Sequence, residues 1–93
     1  MQYDIVKTKR FKTAYKKVSQ LKGFKEDIFV QVVTELAEGN ALDATYRDHA
    51  LMGNLRTFRE CHLAPDILLL YQIDKNVLTL ALVNIGSHAS LFR

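Results

Sequence analysis

Apolar positions change period along this chain of 93 residues, and each change predicts an element. "QYDIV" at 2–6 alternates, with Tyr3 and Ile5 on one side and Gln2 and Asp4 on the other, which reads as a short first strand. From Thr8 the spacing becomes helical. Phe11, Ala14, Tyr15, Val18 and Leu21 recur at three and four residues, and Lys9, Lys12, Lys16 and Lys17 fall outside that stripe. Gly23 offers a left-handed stop. A second helix follows, with Glu26 and Asp27 in its first turn, where the helix dipole favours acids. Its buried face is Ile28, Phe29, Val32, Val33, Leu36 and Ala37, and "EGN" at 38–40 ends it.

The stretch "ALDATYRDHALMGN" at 41–54 has little regular pattern and reads as a loop, pinned by Leu42, Tyr46, Leu51 and Met52. Loops of that length in small domains tend to carry function. Three strand-like runs come next. "RTFRECHL" alternates, "DILLLYQI" is apolar almost throughout, and "VLTLALVNI" alternates again with Leu78, Leu80 and Leu82 on one face. "DKN" at 74–76 makes a hairpin of the last two. The order β-α-α-β-β-β predicts an α+β fold: two N-terminal helices on one face of a small, mostly antiparallel four-stranded sheet. The other face has no cover of its own, so its residues must be polar or must meet a partner.

Composition adds limits. A chain that is 48% hydrophobic and 25% charged has ordinary globular balance, and residues 1–93 read as one domain. One cysteine, Cys61, forms no internal disulfide, "MQYDIVKTKRFK" lacks the apolar core of a signal peptide, and no run is long enough for a membrane span. A cytoplasmic protein is expected. The net charge of +3 is mild but unevenly spread. Up to Lys25 there are eight lysines and arginines against one acid, and beyond it five basic residues against nine acids. A basic first helix suits a polyanion or an acidic partner, although a merely solvated lysine face looks the same in sequence.

All three histidines lie after residue 48: His49 in the long loop, His62 at the end of the second strand, His88 after the last one. Singly, each fits a structural role. Together, at loop and strand ends, they suit proton transfer, because imidazole both takes and gives a proton near neutral pH. With an Asp and an Arg nearby, such a set fits cleavage of an RNA phosphodiester, and that chemistry needs no metal or cofactor. His49, His62, His88 and Asp66 would also be acceptable zinc ligands, but no HxxxH or HExxH spacing supports a metal site. In "RTFRECHL" alternation places Phe58, Glu60 and His62 on one face and Arg59 and Cys61 on the other. Cys61 is therefore expected to pack rather than react, and Glu60 has no evident role.

"YRDHALMGNLRTFRECHLAPDILLLYQI" followed by "IGSHASLF" resembles the YafQ-type branch of the RelE superfamily of bacterial toxins. The family pattern runs K/R-D-H-P-L-x-G, then Y/F-R-[DE]-x-H-x-x-P-D, then an apolar strand ending in Tyr, then G-[ST]-H-x-x-L-F. The match covers Tyr46 to Phe92. It implies a ribosome-dependent mRNA endonuclease of a type II toxin–antitoxin pair, with His49, His62, Asp66 and His88 at the catalytic positions. His88 would be the general acid, Asp66 or His49 the base, His62 would orient or stabilise the phosphate, and Phe92 would hold a substrate base. Arg47 and Arg59 are additional candidates for phosphate contacts. The partners implied are a cognate antitoxin, the ribosome with mRNA in its A site, and operator DNA reached through the antitoxin. Lys9, Lys12, Lys16 and Lys17 are the expected contacts to ribosome or antitoxin. Ala50 stands where the family has proline, and Ile67 where some members carry tryptophan. A non-catalytic superfamily member, such as a gyrase-inhibiting toxin, is the alternative, although a binder has no need of three histidines and Asp66.

Overall fold

The computed structural model describes residues 2–92. Its elements are β1 (Asp4–Lys7), α1 (Lys9–Val18), α2 (Glu26–Ala37), β2 (His49–Ala50), β3 (Arg59–Ala64), β4 (Ile67–Asp74), β5 (Thr79–Gly86) and α3 (His88–Leu91). Five strands form one sheet in the order β1-β5-β4-β3-β2, with β1 parallel to β5 and every other pairing antiparallel. The expected α+β fold is present with one strand more than the predicted four. The addition is β2, two residues long, too short for an alternating pattern to reveal it.

Cross-strand partners share a face, so the register decides what each face carries. Cys61, Leu69 and Ile85 stand in one row, Tyr71 and Leu82 in the next, and all five join a buried cluster with Phe11, Val18, Phe29, Val32, Val33 and Leu36 of the two helices. Phe11, 2% exposed, stacks on Phe29 at 6.0 Å between ring centroids. Burial of a side chain of that size contributes roughly 1.5–3 kcal/mol. The residues of the opposite face lie outside that cluster. Its rows are Glu60, Leu70 and Asn84, then His62, Leu68 and Gly86.

Two local features bend this frame toward the site. The ladder between β4 and β5 slips between Leu70 and Tyr71, leaving Val83 as the extra residue of a bulge. Thr8 takes up the Val83 carbonyl through its hydroxyl at 2.7 Å while accepting from the Phe11 N–H, so one side chain caps α1 and braces the bulge. A second slip, between His62 and Ala64, lies where β3 turns into Pro65 and Asp66.

Three expectations need correction. α1 stops at Val18, not near Leu21, which is 53% exposed. The Ser19 hydroxyl donates to the Lys16 carbonyl, and tight bonds from Gln20 to Lys17 and Leu21 to Val18 close the helix early. Gly23 is not left-handed; that conformation falls to Gly39, φ 80°, at the end of α2. Met52 does not pin its loop, being 88% exposed.

Candidate functional site

The site grows from β3. Period-two alternation puts Glu60 and His62 side by side on the face away from α1 and α2, and β2 lays His49 opposite Glu60 in the ladder. His49 Nε2 stands 3.1 Å from Glu60 Oε1, and His62 Nε2 lies 4.0 Å from the same oxygen. The His62 and His88 rings are 5.7 Å apart between centroids. His88 opens α3, where Ser87 caps the turn by accepting from the Ser90 N–H. Asp66 reaches His88 from the β3–β4 turn: its Oδ1 lies 3.4 Å from His88 Nδ1 and accepts from the His88 backbone N–H at 3.3 Å. His49, Glu60, His62, His88 and Asp66 thus form one unbroken line of contacts across the open end of the sheet.

Burial divides the line into a dry middle and two solvent-exposed ends, with the His49 side chain 50% exposed at one of them. The Glu60 side chain is 7% exposed, that of His62 15%, that of Asp66 70%. Burial holds His62 below the usual histidine range; Glu60 pulls the other way, while Arg47, His88 and His49 add to the depression. Glu60 Oε2 is buried and has no hydrogen-bond partner among the described residues. His49 Nδ1 lies 2.7 Å from the Arg47 carbonyl, which can only accept, so that nitrogen carries a hydrogen and Nε2 faces Glu60.

Other expected residues divide between the site and elsewhere. Arg47 comes to the site, lining with Tyr46, His62, Leu63 and Pro65 a hollow of about 420 Å³. Arg59 does not. It turns to the helix-covered face, where Nη2 donates to Asp48 at 3.1 Å and Nε to the Tyr71 hydroxyl at 3.3 Å. Alternation requires this, since Glu60 next to it faces the site. Phe92 follows α3 and is 44% exposed. Cys61 is fully buried, and burial pushes its thiol up to about 12. Lys9, Lys12, Lys16 and Lys17 are exposed on α1, and Lys9 and Lys17 border a larger groove of about 940 Å³ that runs from Val18 past Ile85 to Asp66.

Glu60 is the residue that sequence reasoning left without a role. Its signal was the E-x-H spacing on an alternating strand. The missing fact was β2, which brings His49 to the same carboxylate. A metal set is also available, and it differs from the one considered in sequence: ligand atoms of Glu60, His62 and His88 all lie within 4.8 Å of one another.

A small, mostly antiparallel sheet with two helices on one face and proton-handling groups on the other has the layout of RelE-like toxins, and fold and site together assign the chain to that class. The family model for "Bacterial toxin of type II toxin-antitoxin system, YafQ" matches residues 3–93, and the chain belongs to that family. It is 37% identical over 51 residues to the mRNA interferase toxin YafQ of Escherichia coli K12, an alignment covering 55% of this chain and 53% of that protein. The chain thus spans about half the length of the curated relatives it matches. Among solved structures, a metal-bound toxin from Helicobacter pylori superposes with a TM-score of 0.88 at 44% identity, over 99% of this chain and 100% of that one. YafQ in the E. coli DinJ–YafQ toxin–antitoxin complex superposes with a TM-score of 0.87 at 26% identity, over the whole of both chains.

Proposed function

We propose that residues 1–93 form the toxin domain of a type II pair and act as a ribosome-dependent endoribonuclease that cleaves mRNA by metal-free acid–base catalysis. The observation that carries this reading is the line from His49 through Glu60, His62 and His88 to Asp66 on the open sheet face. In the reaction the RNA 2′ oxygen forms a new bond to phosphorus and the 5′ oxygen leaves. His88, with Nδ1 turned to Asp66, has Nε2 left to protonate the departing 5′ oxygen. Asp66 holds His88 with Oδ1 only, so its exposed second oxygen can take the 2′-OH proton. His62 and Arg47 face the charge that builds on the phosphorane. His49 stays on Glu60 and completes the donor set, and Phe92 is offered to a nucleobase.

Partner assignments rest on charge and on relatives. The basic α1 suits rRNA and an acidic antitoxin segment alike, and the likeness to YafQ bound to DinJ supports a cognate antitoxin. Operator DNA would be met through the antitoxin. No helix among the described residues is long and apolar enough to cross a membrane; cytoplasmic action follows from the proposed target. The deciding experiment expresses the wild type beside His88→Ala. Growth arrest with mRNA cleavage only in the wild type is expected; equal arrest with intact mRNA refutes the nuclease.

A second reading has its own observation. Glu60, His62 and His88 present a carboxylate and two imidazoles at mutual distances that suit a divalent transition ion, and the orphaned Glu60 Oε2 fits the role of ligand. The relative from H. pylori is metal-bound. Held there, such an ion would occupy the nitrogens that acid–base cleavage needs. Cleavage should therefore survive EDTA and fall on addition of Cu²⁺ or Zn²⁺, with binding lost by calorimetry in His62→Ala.

A further inference from the structure

Asp48 and His49 are neighbours in sequence and face opposite sides of the sheet. Asp48 turns inward, accepting from the Tyr71 hydroxyl and, at 3.1 Å, from Arg59 Nη2. Arg59 and Tyr71 are direct partners across β3 and β4, and Arg59 Nε donates to the Tyr71 hydroxyl at 3.3 Å. The three side chains close a triangle over the buried middle of the sheet, where Tyr71 is 1% exposed. Their charges support one another: the bond to Asp48 holds Arg59 more firmly protonated, and burial with Asp48 keeps Tyr71 a neutral donor.

Outside the triangle His49 is held by its own ring contacts, to the Arg47 carbonyl at 2.7 Å and to Glu60 at 3.1 Å, and by a short backbone ladder. β2 has two residues, Arg47 before it is left-handed at φ 50°, and the His49 side chain is half exposed. A two-residue edge strand does not by itself fix a side chain that must meet Glu60 at hydrogen-bond distance. We infer that Asp48, Arg59 and Tyr71 are positioning residues, a clamp on the helix side of the sheet that delivers His49 to Glu60 on the open side. The role in cleavage rests on the nuclease reading above; the clamp on His49 does not. It also gives Arg59 a task other than phosphate binding and makes "RDH" a two-part device, with Asp48 as anchor and His49 as working group.

The test uses Tyr71→Phe, which removes one hydroxyl from a buried ring, with Asp48→Asn as the second variant should either fold poorly. Each is made alone and in a His49→Ala background. Cleavage kinetics on programmed ribosomes should show kcat reduced ~10-fold with KM within ~2-fold, and less than ~2-fold further loss in the His49→Ala background. Additive losses in that background overturn the clamp, because a purely structural role would act through every site residue. Ring proton spectra read the geometry without activity. The His49 signals should shift or broaden in Tyr71→Phe while those of His62 and His88 stay in place, and an unmoved His49 overturns the inference. Should wild type and His88→Ala arrest growth equally with mRNA intact, the nuclease reading fails alone and the ring spectra still decide the clamp.

Discussion

Replacing Glu60 by methionine should make the protein more stable and less active. The Glu60 side chain is 7% exposed, and its Oε2 has no partner among the described residues. A buried polar oxygen without a hydrogen bond costs about 1–3 kcal/mol, and more where it carries charge. Against this stands the contact with His49 at 3.1 Å, whose ring is 50% exposed. Two unit charges at about 4 Å attract by about 4 kcal/mol at an effective dielectric of about 20, but solvent beside a half-exposed partner reduces measured pairs to about 0–1 kcal/mol. His62, at 4.0 Å, adds little, since burial favours its neutral form. The balance is a net cost of roughly 1–2 kcal/mol, which methionine of similar shape beside Leu70 would remove. In a domain of this size that corresponds to a rise in Tm of about 5–10 °C. Cleavage should fall ~100-fold in the same variant, because His49 and His62 lose the carboxylate that aims them. Calorimetry and an mRNA cleavage assay on one preparation check both halves. A fall in Tm, or undiminished cleavage, refutes the argument that Glu60 is kept at a cost in stability for the sake of the site.

Three further outcomes follow from the same geometry. The His62 ring should titrate below a free histidine by NMR. Its unfolded form then takes up a proton first, so stability present above about pH 6.5 is lost as pH falls through the folded value. Cys61, with its thiol pushed up to about 12, should react with iodoacetamide at pH 8 at least about a hundredfold more slowly in the native protein than in denaturant, as mass spectrometry would show. Gly86→Ala would set a Cβ against Ser90 Oγ, which must abandon its 3.0 Å bond to the Ser87 carbonyl. A loss of about 1–2 kcal/mol by denaturation is expected, with a ~10-fold drop in cleavage as the turn carrying His88 shifts.

Elements with many repeats of their pattern were legible in the residues. Phe11, Val18, Phe29, Val32, Val33 and Leu36 are spaced for helices and are buried as that spacing requires. The apolar "ILLLY" is central, and "DKN" closes a hairpin. Helix ends were less legible, since the Ser19 hydroxyl and two tight backbone bonds, not Gly23, stop α1. Periodicity is a sum over many positions, whereas an end depends on one or two bonds.

The site divides in the same way. Sequence by itself determined which groups could transfer protons, and alternation on β3 already separated Arg59 and Cys61 from Glu60 and His62. Only the tertiary structure decided how they combine. His49 joins Glu60 through a two-residue strand that no periodic signal announces, Asp66 meets His88 across 22 positions, and Arg59 is drawn to Asp48 and Tyr71 rather than to a phosphate. The reason is physical. Which face a residue takes is set locally by the pleat, but what it meets there depends on strand order and register, and those are settled by the packing of the whole chain.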